Sequence, residues 1–171
     1  MLGPYSIGVA YLGPRYADGV PLEETWIARE GSEDFQALVD YQEGYQPGSV
    51  RFDVGERSNF ILVPMLVAAL RLLLEWEPAR IQAYTGELCR DLLEEAEFLG
   101  YALEEEQFRA GHLFGLRIGK GMEMERLKEA LEVEGVSASL RGSALRVAPH
   151  VYNHEEDVEA LRRVLRAAVA G

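Results

Sequence analysis

Lysine, cysteine and histidine are scarce in this chain of 171 residues, which holds two, one and three of them respectively. A single cysteine, Cys89, rules out an intramolecular disulfide framework and fits a reducing compartment, so a cytoplasmic location is expected. His112, His150 and His154 stand without a cysteine cluster or a partner pattern. That excludes a histidine-based metal set or nucleophilic triad. Positive charge is also short: 17 basic residues face 29 acidic ones, for a net charge of −12. Such a balance argues against nucleic acid or an anionic membrane as a partner. The acids sit on predicted helix faces, where solubility is their plain meaning. Long apolar runs are missing too. The most apolar stretch, Phe60 to Leu74, contains Pro64 and Arg71. It is shorter than the roughly 20 residues that span a bilayer, and reads as a buried helix. No signal peptide is expected, since residues 1–14 lack a basic start and are broken by Gly3, Pro4, Gly8, Gly13 and Pro14. What remains, 48% hydrophobic residues, suffices for a core of one domain, or of one domain plus a fragment.

Tyr5 to Leu12 alternates, with Ile7, Val9 and Tyr11 on one face, and predicts a strand stopped by Gly13-Pro14. Residues 13–53 show no sustained period and are punctuated by Gly19, Pro21, Gly31, Gly44, Pro47 and Gly48. Loops of this length in a compact domain are functional or disordered, and the interleaved Trp26, Phe35, Tyr41 and Tyr45 argue against disorder. Asn59 to Trp76 is the strongest helix signal, capped by Ser58 or Asn59. Pro78 opens a second helix that runs to about Leu99, with Ile81, Tyr84, Leu88, Leu92 and Ala96 as its apolar stripe and Gly100 as its stop. His112 to Ile118, Val136 to Leu140 and Ala144 to Ala148 read as strands. A short helix, Met124 to Glu134, lies between the first two, and a turn at Arg141-Gly142-Ser143 joins the last two. Asn153 with Glu156 forms a predicted capping box for a final helix whose stripe is Val158, Leu161, Val164, Leu165 and Ala168. From residue 57 onward the order is ααβαββα, an α+β arrangement with helices on one side of a short sheet.

Arg146 stands inside the last apolar strand, just before a Pro149-His150-Val151-Tyr152-Asn153 elbow. An arginine stays charged, so it must reach water or an anion, and at a strand end it makes a good carboxylate clamp. The plainer alternative is a guanidinium whose stem packs while its head pairs with a nearby acid or helix end. His150 reads as a structural histidine, and Gly119-Lys120-Gly121 as a turn rather than a phosphate loop.

The segment RVAPHVYNHEEDVEALRRVL resembles the carboxyl end of class V aminotransferase-like enzymes, the group that includes cysteine desulfurases and isopenicillin-N-epimerase-like proteins. LGPYSIGVAYLGPRY resembles the segment that follows their pyridoxal-phosphate lysine. RFDVGERSNFILVPMLVAAL resembles the segment entering their small domain. Together the three span nearly the whole chain in the family's order. The resemblance implies residues 1–53 as the tail of a large α/β cofactor domain, a strand plus a long loop. It implies residues 54–171 as the small C-terminal α+β domain of a fold-type-I pyridoxal-phosphate enzyme.

It also implies roles. Arg146 falls where the family holds the substrate α-carboxylate. Gly55 to Asn59 fall near the turn that reaches the cofactor phosphate of a neighbouring subunit, with Gly55, Arg57, Ser58 and Asn59 as the possible ligands. Glu56 stands there where threonine is common, and its charge would repel a phosphate. Trp26, Arg29 and Glu30 either line the substrate pocket or pack against the large domain. Neither lysine, Lys120 or Lys128, precedes the first strand, where the family carries its Schiff-base lysine. The expected reading is thus the C-terminal portion of an aminotransferase, lyase or epimerase acting on an amino acid, inactive alone, with pyridoxal phosphate bound only in the intact parent. A desulfurase is disfavoured, because no cysteine lies between Val136 and Ala148. A homodimer or larger oligomer is expected. The other readings are a non-catalytic dimerising or interaction domain, and one half of a split enzyme.

Overall fold

The computed structural model describes residues 3–169, which fall into two compact units, Met1–Leu73 and Leu74–Gly171. Position 54, the domain boundary expected from the sequence, lies inside the first unit, which extends into the first long helix.

The first unit contains no β-ladder strand among its described residues, so the expected strand at Tyr5–Leu12 is absent. Alternation is a property of the segment, but a strand needs a neighbour to bond with. Here Tyr5, Val9 and Tyr11 are exposed instead of packed. Residues 13–53 form four short 3-10 turns, Pro14–Tyr16, Trp26–Ala28, Ala37–Val39 and Gly48–Phe52. Polar cross-links hold these turns in place of a large apolar core. The buried Arg51 donates to the carbonyls of Gln46 (2.9 Å) and Gly19 (3.2 Å). Gln46 Nε2 donates to the Ile27 carbonyl (2.9 Å) and to Ser32 Oγ (2.8 Å).

Helix α1 (Leu62–Trp76) begins three residues after Asn59, whose side-chain oxygen accepts from the backbone N–H of Leu62 at 2.7 Å. That is the expected cap, since the first turn of a helix leaves its N–H groups without partners. Helix α2 (Pro78–Phe98) starts on Pro78 and ends before Gly100, which takes φ 91. Its buried stripe is Ile81, Thr85, Cys89, Leu92 and Ala96, one position round from the expected Tyr84 and Leu88. Thr85 tolerates burial because its hydroxyl donates to the Ile81 carbonyl at 3.0 Å.

The second unit continues with β1 (Phe114–Arg117), α3 (Met124–Val133), β2 (Ser139–Arg141), β3 (Ala144–Val147) and α4 (Glu155–Val169). The three strands form an antiparallel sheet in the order β1-β3-β2. The two-residue loop Gly142-Ser143 joins β2 to β3, with Gly142 at φ 57, a conformation that favours glycine. Leu145 sits opposite Leu116 on one side and Leu140 on the other, and this face covers the core. Leu92, Leu127, Val164 and Leu165 close that core from the helices, each fully buried. The opposite face carries Gly115, Arg117, Ser139, Arg141 and Arg146, because side chains alternate along a strand.

The cap of α4 differs from the sequence expectation. Asp157, not Glu156, reaches back to the N–H of His154 (3.1 Å), while Asn153 Oδ1 accepts from the N–H of His150 (3.0 Å). The helix starts one residue later than the motif predicts, so the acid on its third position is Asp157.

Glu95 of α2 lies between Arg162 and Arg166 of α4, and its carboxyl is held below its usual range, first by the Arg166 hydrogen bond and then against the opposing effect of burial. A depressed carboxyl stabilises the fold at pH values above its unfolded pKa and loses that effect as pH falls through the folded one. Glu95→Gln should therefore lower the urea midpoint at pH 7. The gap from the parent should shrink as pH drops below the ordinary value near 4.5. Among the described residues no helix is long and apolar enough to cross a membrane, and no group of three or more His, Cys, Asp or Glu is placed to hold a metal ion.

Candidate functional site

Arg146 lies at the centre of β3 on the sheet face away from the core. Its two cross-strand neighbours are Gly115 and Ser139, both small, so nothing shields the guanidinium. The nearest polar contact is Ser139 Oγ at 3.4 Å, longer than a good hydrogen bond. Among the described residues no carboxylate lies within ion-pair distance of it, although the chain carries a large acidic excess.

The same residue borders a groove of about 570 Å³ in the second unit. Leu92, Val147, Pro149, Val158 and Leu161 give the groove apolar walls, and Tyr152 and Asn153 bring polar groups to its rim. Two acids also line it, and both are engaged. Glu134 accepts from Arg163 Nε at 2.8 Å. Asp157 holds the start of α4, and its carboxyl is pushed down by the His154 N–H and the Asn153 amide. Arg146 is therefore the only arginine or lysine bordering the groove, among the described residues.

The elbow above the groove is aromatic. His150 stacks on Tyr152, with centroids 5.4 Å apart, and tilts against Trp76. Burial lowers the His150 pKa, and the ring's Nδ1 is buried without a partner, which keeps the imidazole neutral near pH 7. Cys89 lines the inner groove wall but is 1% exposed, and burial pushes its thiol up to about 11. Burial rather than its acidic sequence neighbours raises it, and the thiol is not a nucleophile.

The other residues singled out by sequence belong to the first unit. The N–H of Gly55 donates to Glu23 Oε1 at 2.7 Å, so a carboxylate of the protein already occupies that donor. Arg57 pairs with Asp53 at 3.0 Å, and Asn59 is spent on capping α1. Glu56 and Ser58 are both exposed. Trp26 and Arg29 do line a small pocket, of about 290 Å³, together with Glu30. Arg29 is held there by the Tyr45 ring, 4.0 Å from its guanidinium carbon, and by Glu24 at 3.7 Å.

Both lysines are exposed. Lys128 is exposed on α3, and Glu125 beside it (3.2 Å) raises its pKa, the opposite of what a nucleophilic amine requires. Lys120 projects from the exposed Gly119–Gly121 turn. Sequence reasoning overlooked Arg117 and Arg141, which the register sets on the face of Arg146. Arg117 pairs with Glu104 at 3.0 Å, whereas Arg141 touches only the carbonyl of Leu140 at 3.3 Å. The two-residue turn at Gly142-Ser143 was the available signal, since it fixes which residues of the hairpin face each other.

No family model and no curated protein matches this chain. A solved structure of alanine–glyoxylate aminotransferase from Nostoc sp. is similar to it with a TM-score of 0.51 at 21% identity, covering 88% of this chain. The matched part is only 40% of that aminotransferase chain, so the likeness is one of fold, to part of a larger enzyme.

Proposed function

We propose that this chain is the C-terminal portion of a pyridoxal-phosphate-dependent enzyme of the class V aminotransferase type, and that Arg146 binds the α-carboxylate of its amino-acid or oxo-acid substrate. The observation that carries this reading is the guanidinium without an ion pair: Arg146 borders a groove with apolar walls, in a strongly acidic chain, and among the described residues no carboxylate lies within ion-pair distance of it. The fold likeness to part of an aminotransferase and the resemblance of its last strand and elbow to that family support it.

The groups present here do not fit the cofactor itself. An aldehyde cofactor needs a neutral lysine beside it, and a phosphate needs open donors. Lys128 is held protonated by Glu125, and the Gly55 N–H is taken by Glu23. No step is therefore assigned to a cofactor on this chain. What its residues provide is a binding function. Arg146 offers two parallel N–H donors to a carboxylate, Ser139 stands beside it, and the apolar residues of the groove lie next to it. The neutral, stacked His150 stiffens the elbow that forms the rim of this groove.

The 171-residue chain should bind valerate, a simple monocarboxylate, in an NMR titration, with shifts centred on β3 and the elbow. Arg146→Ala should weaken that binding about tenfold, the worth of one charge-assisted bond pair. Equal affinity in the parent and the variant would overturn the reading. In the intact enzyme a homodimer is the natural assembly on this reading, with the exposed apolar residues of the first unit as candidates for its contacts.

A further inference from the structure

The sheet face that holds Arg146 carries two further arginines, Arg117 and Arg141, in a chain of net charge −12. Its two rows run Gly115–Arg146–Ser139 and Arg117–Ala144–Arg141. Arg146 is thus flanked diagonally by one arginine on each neighbouring strand. Diagonal neighbours on adjacent antiparallel strands stand roughly 7–8 Å apart, within reach of long side chains. Arg117 is neutralised by Glu104. Arg141 is not: among the described residues it has no carboxylate within ion-pair distance, and its one hydrogen bond goes to the neighbouring carbonyl of Leu140. Two exposed arginines without acids therefore stand on one face of a short hairpin, held in register by a two-residue turn.

We infer that the substrate is a dianion, a dicarboxylate of four or five carbons, with one carboxylate on Arg146 and the second on Arg141. This rests on the reading of Arg146 as a carboxylate clamp and adds the second charge. The spacing suits the ligand class, since two guanidinium groups on diagonal positions can each face one end of a short chain. The alternative path for a second carboxylate, down into the groove, is disfavoured. Glu134 and Asp157 line the groove, and the N–H of His154 at the start of α4 is already bonded to Asp157. Among the described residues the groove offers a second anion no basic side chain besides Arg146, and its two carboxylates would repel one. Along the sheet face it meets Arg141. Ser139 and Ala144, the residues that complete the square with Arg146 and Arg141, are both small.

Glutarate and valerate, five-carbon acids with two charges and one, test the assignment in parallel NMR titrations of the full chain. Both arginines are exposed, so their alanine variants should keep the parent urea midpoint. In the parent, glutarate should bind about fivefold more tightly than valerate, as fits a second, solvent-exposed ion pair. That preference should fade in high salt. Arg141→Ala should reduce the glutarate-to-valerate affinity ratio to near unity, whereas Arg146→Ala should weaken both ligands. If Arg141→Ala leaves the ratio as it was while Arg146→Ala abolishes binding, the second site is wrong and the clamp stands. If Arg146→Ala changes neither ligand, the clamp falls and the dianion inference falls with it.

Discussion

Gly119→Ala should destabilise the second unit by about 3 kcal/mol, at the upper end of the usual cost of overpacking a tight site. A β-carbon built at Gly119 would lie 2.2 Å from the carbonyl oxygen of Gly100, a distance no real pair of such atoms adopts. The atom it meets is backbone, so no side chain can swing away. That backbone is tied on both sides. Tyr101 N–H bonds to the Ala96 carbonyl at 2.9 Å, and Ala102 exchanges hydrogen bonds with Arg117 at 2.9 and 3.0 Å. Gly100 itself holds φ 91 to end α2, so rotating its peptide would disturb the helix stop as well. Relief has to come from pulling β1 away from the end of α2. Urea unfolding followed by circular dichroism reads the loss. Gly86→Ala supplies the contrast: a β-carbon at this mid-helix position of α2 meets nothing within 4 Å. Gly86→Ala should therefore stabilise by about 1 kcal/mol, through helix propensity. A Gly119→Ala midpoint equal to the parent's would show that the two backbones yield more easily than their hydrogen bonds imply.

Local chemistry was the readable part of this sequence. Asn59 before α1, Pro78 at the start of α2 and Gly100 after it each act within a turn, and each does in the fold what its type predicts. Statements that depend on distant partners were less secure. The alternation of Tyr5 to Leu12 is real, yet no strand forms, because alternation does not supply a neighbour. The stripe of α2 is rotated toward Thr85 and Cys89 because the helix has two candidate apolar faces. Contact with α4 across the core selects the one with smaller side chains. The α4 cap slipped from Glu156 to Asp157 for a similar reason, as three consecutive acids offer three frames for the same motif.

The candidate site divides in the same way. Arg146 was visible because a charge inside an apolar strand is a local anomaly. The lack, among the described residues, of an acid within ion-pair distance of it, and the presence of Arg141 diagonally across the hairpin, depend on register and on where 29 acids end up, which no local pattern contains. Gly55 shows the converse. The family resemblance implied an anion donor there, and a glutamate 32 residues earlier in the chain had already taken the N–H.

Leu145→Ala should cost about 3–5 kcal/mol, the range for deleting a fully buried leucine whose surroundings relax only in part. Leu145 is 0% exposed, lies on the middle strand and faces Leu116 and Leu140 from its two neighbours. Leu92 and Leu165, also fully buried, belong to the same core, so the cavity opens between sheet and helices where neither layer can close on it alone. Against a domain stability of about 5–15 kcal/mol, such a loss leaves the second unit marginal or unfolded at 37 °C. Arg146 is the next residue along the strand, on the opposite face. Its replacement by alanine removes an exposed head with no ion-pair partner, so its effect on stability should stay within about 0.5 kcal/mol. A thermal or urea melt of the two variants side by side therefore separates the roles of two adjacent residues. A large loss for Leu145→Ala with a parent-like Arg146→Ala would mean that any ligand binding lost in the second variant comes from the missing guanidinium. Comparable losses in both would instead make Arg146 part of the packing, and the binding experiments would then have to rely on Arg146→Lys, which keeps the stem and the charge while removing the planar fork that grips a carboxylate.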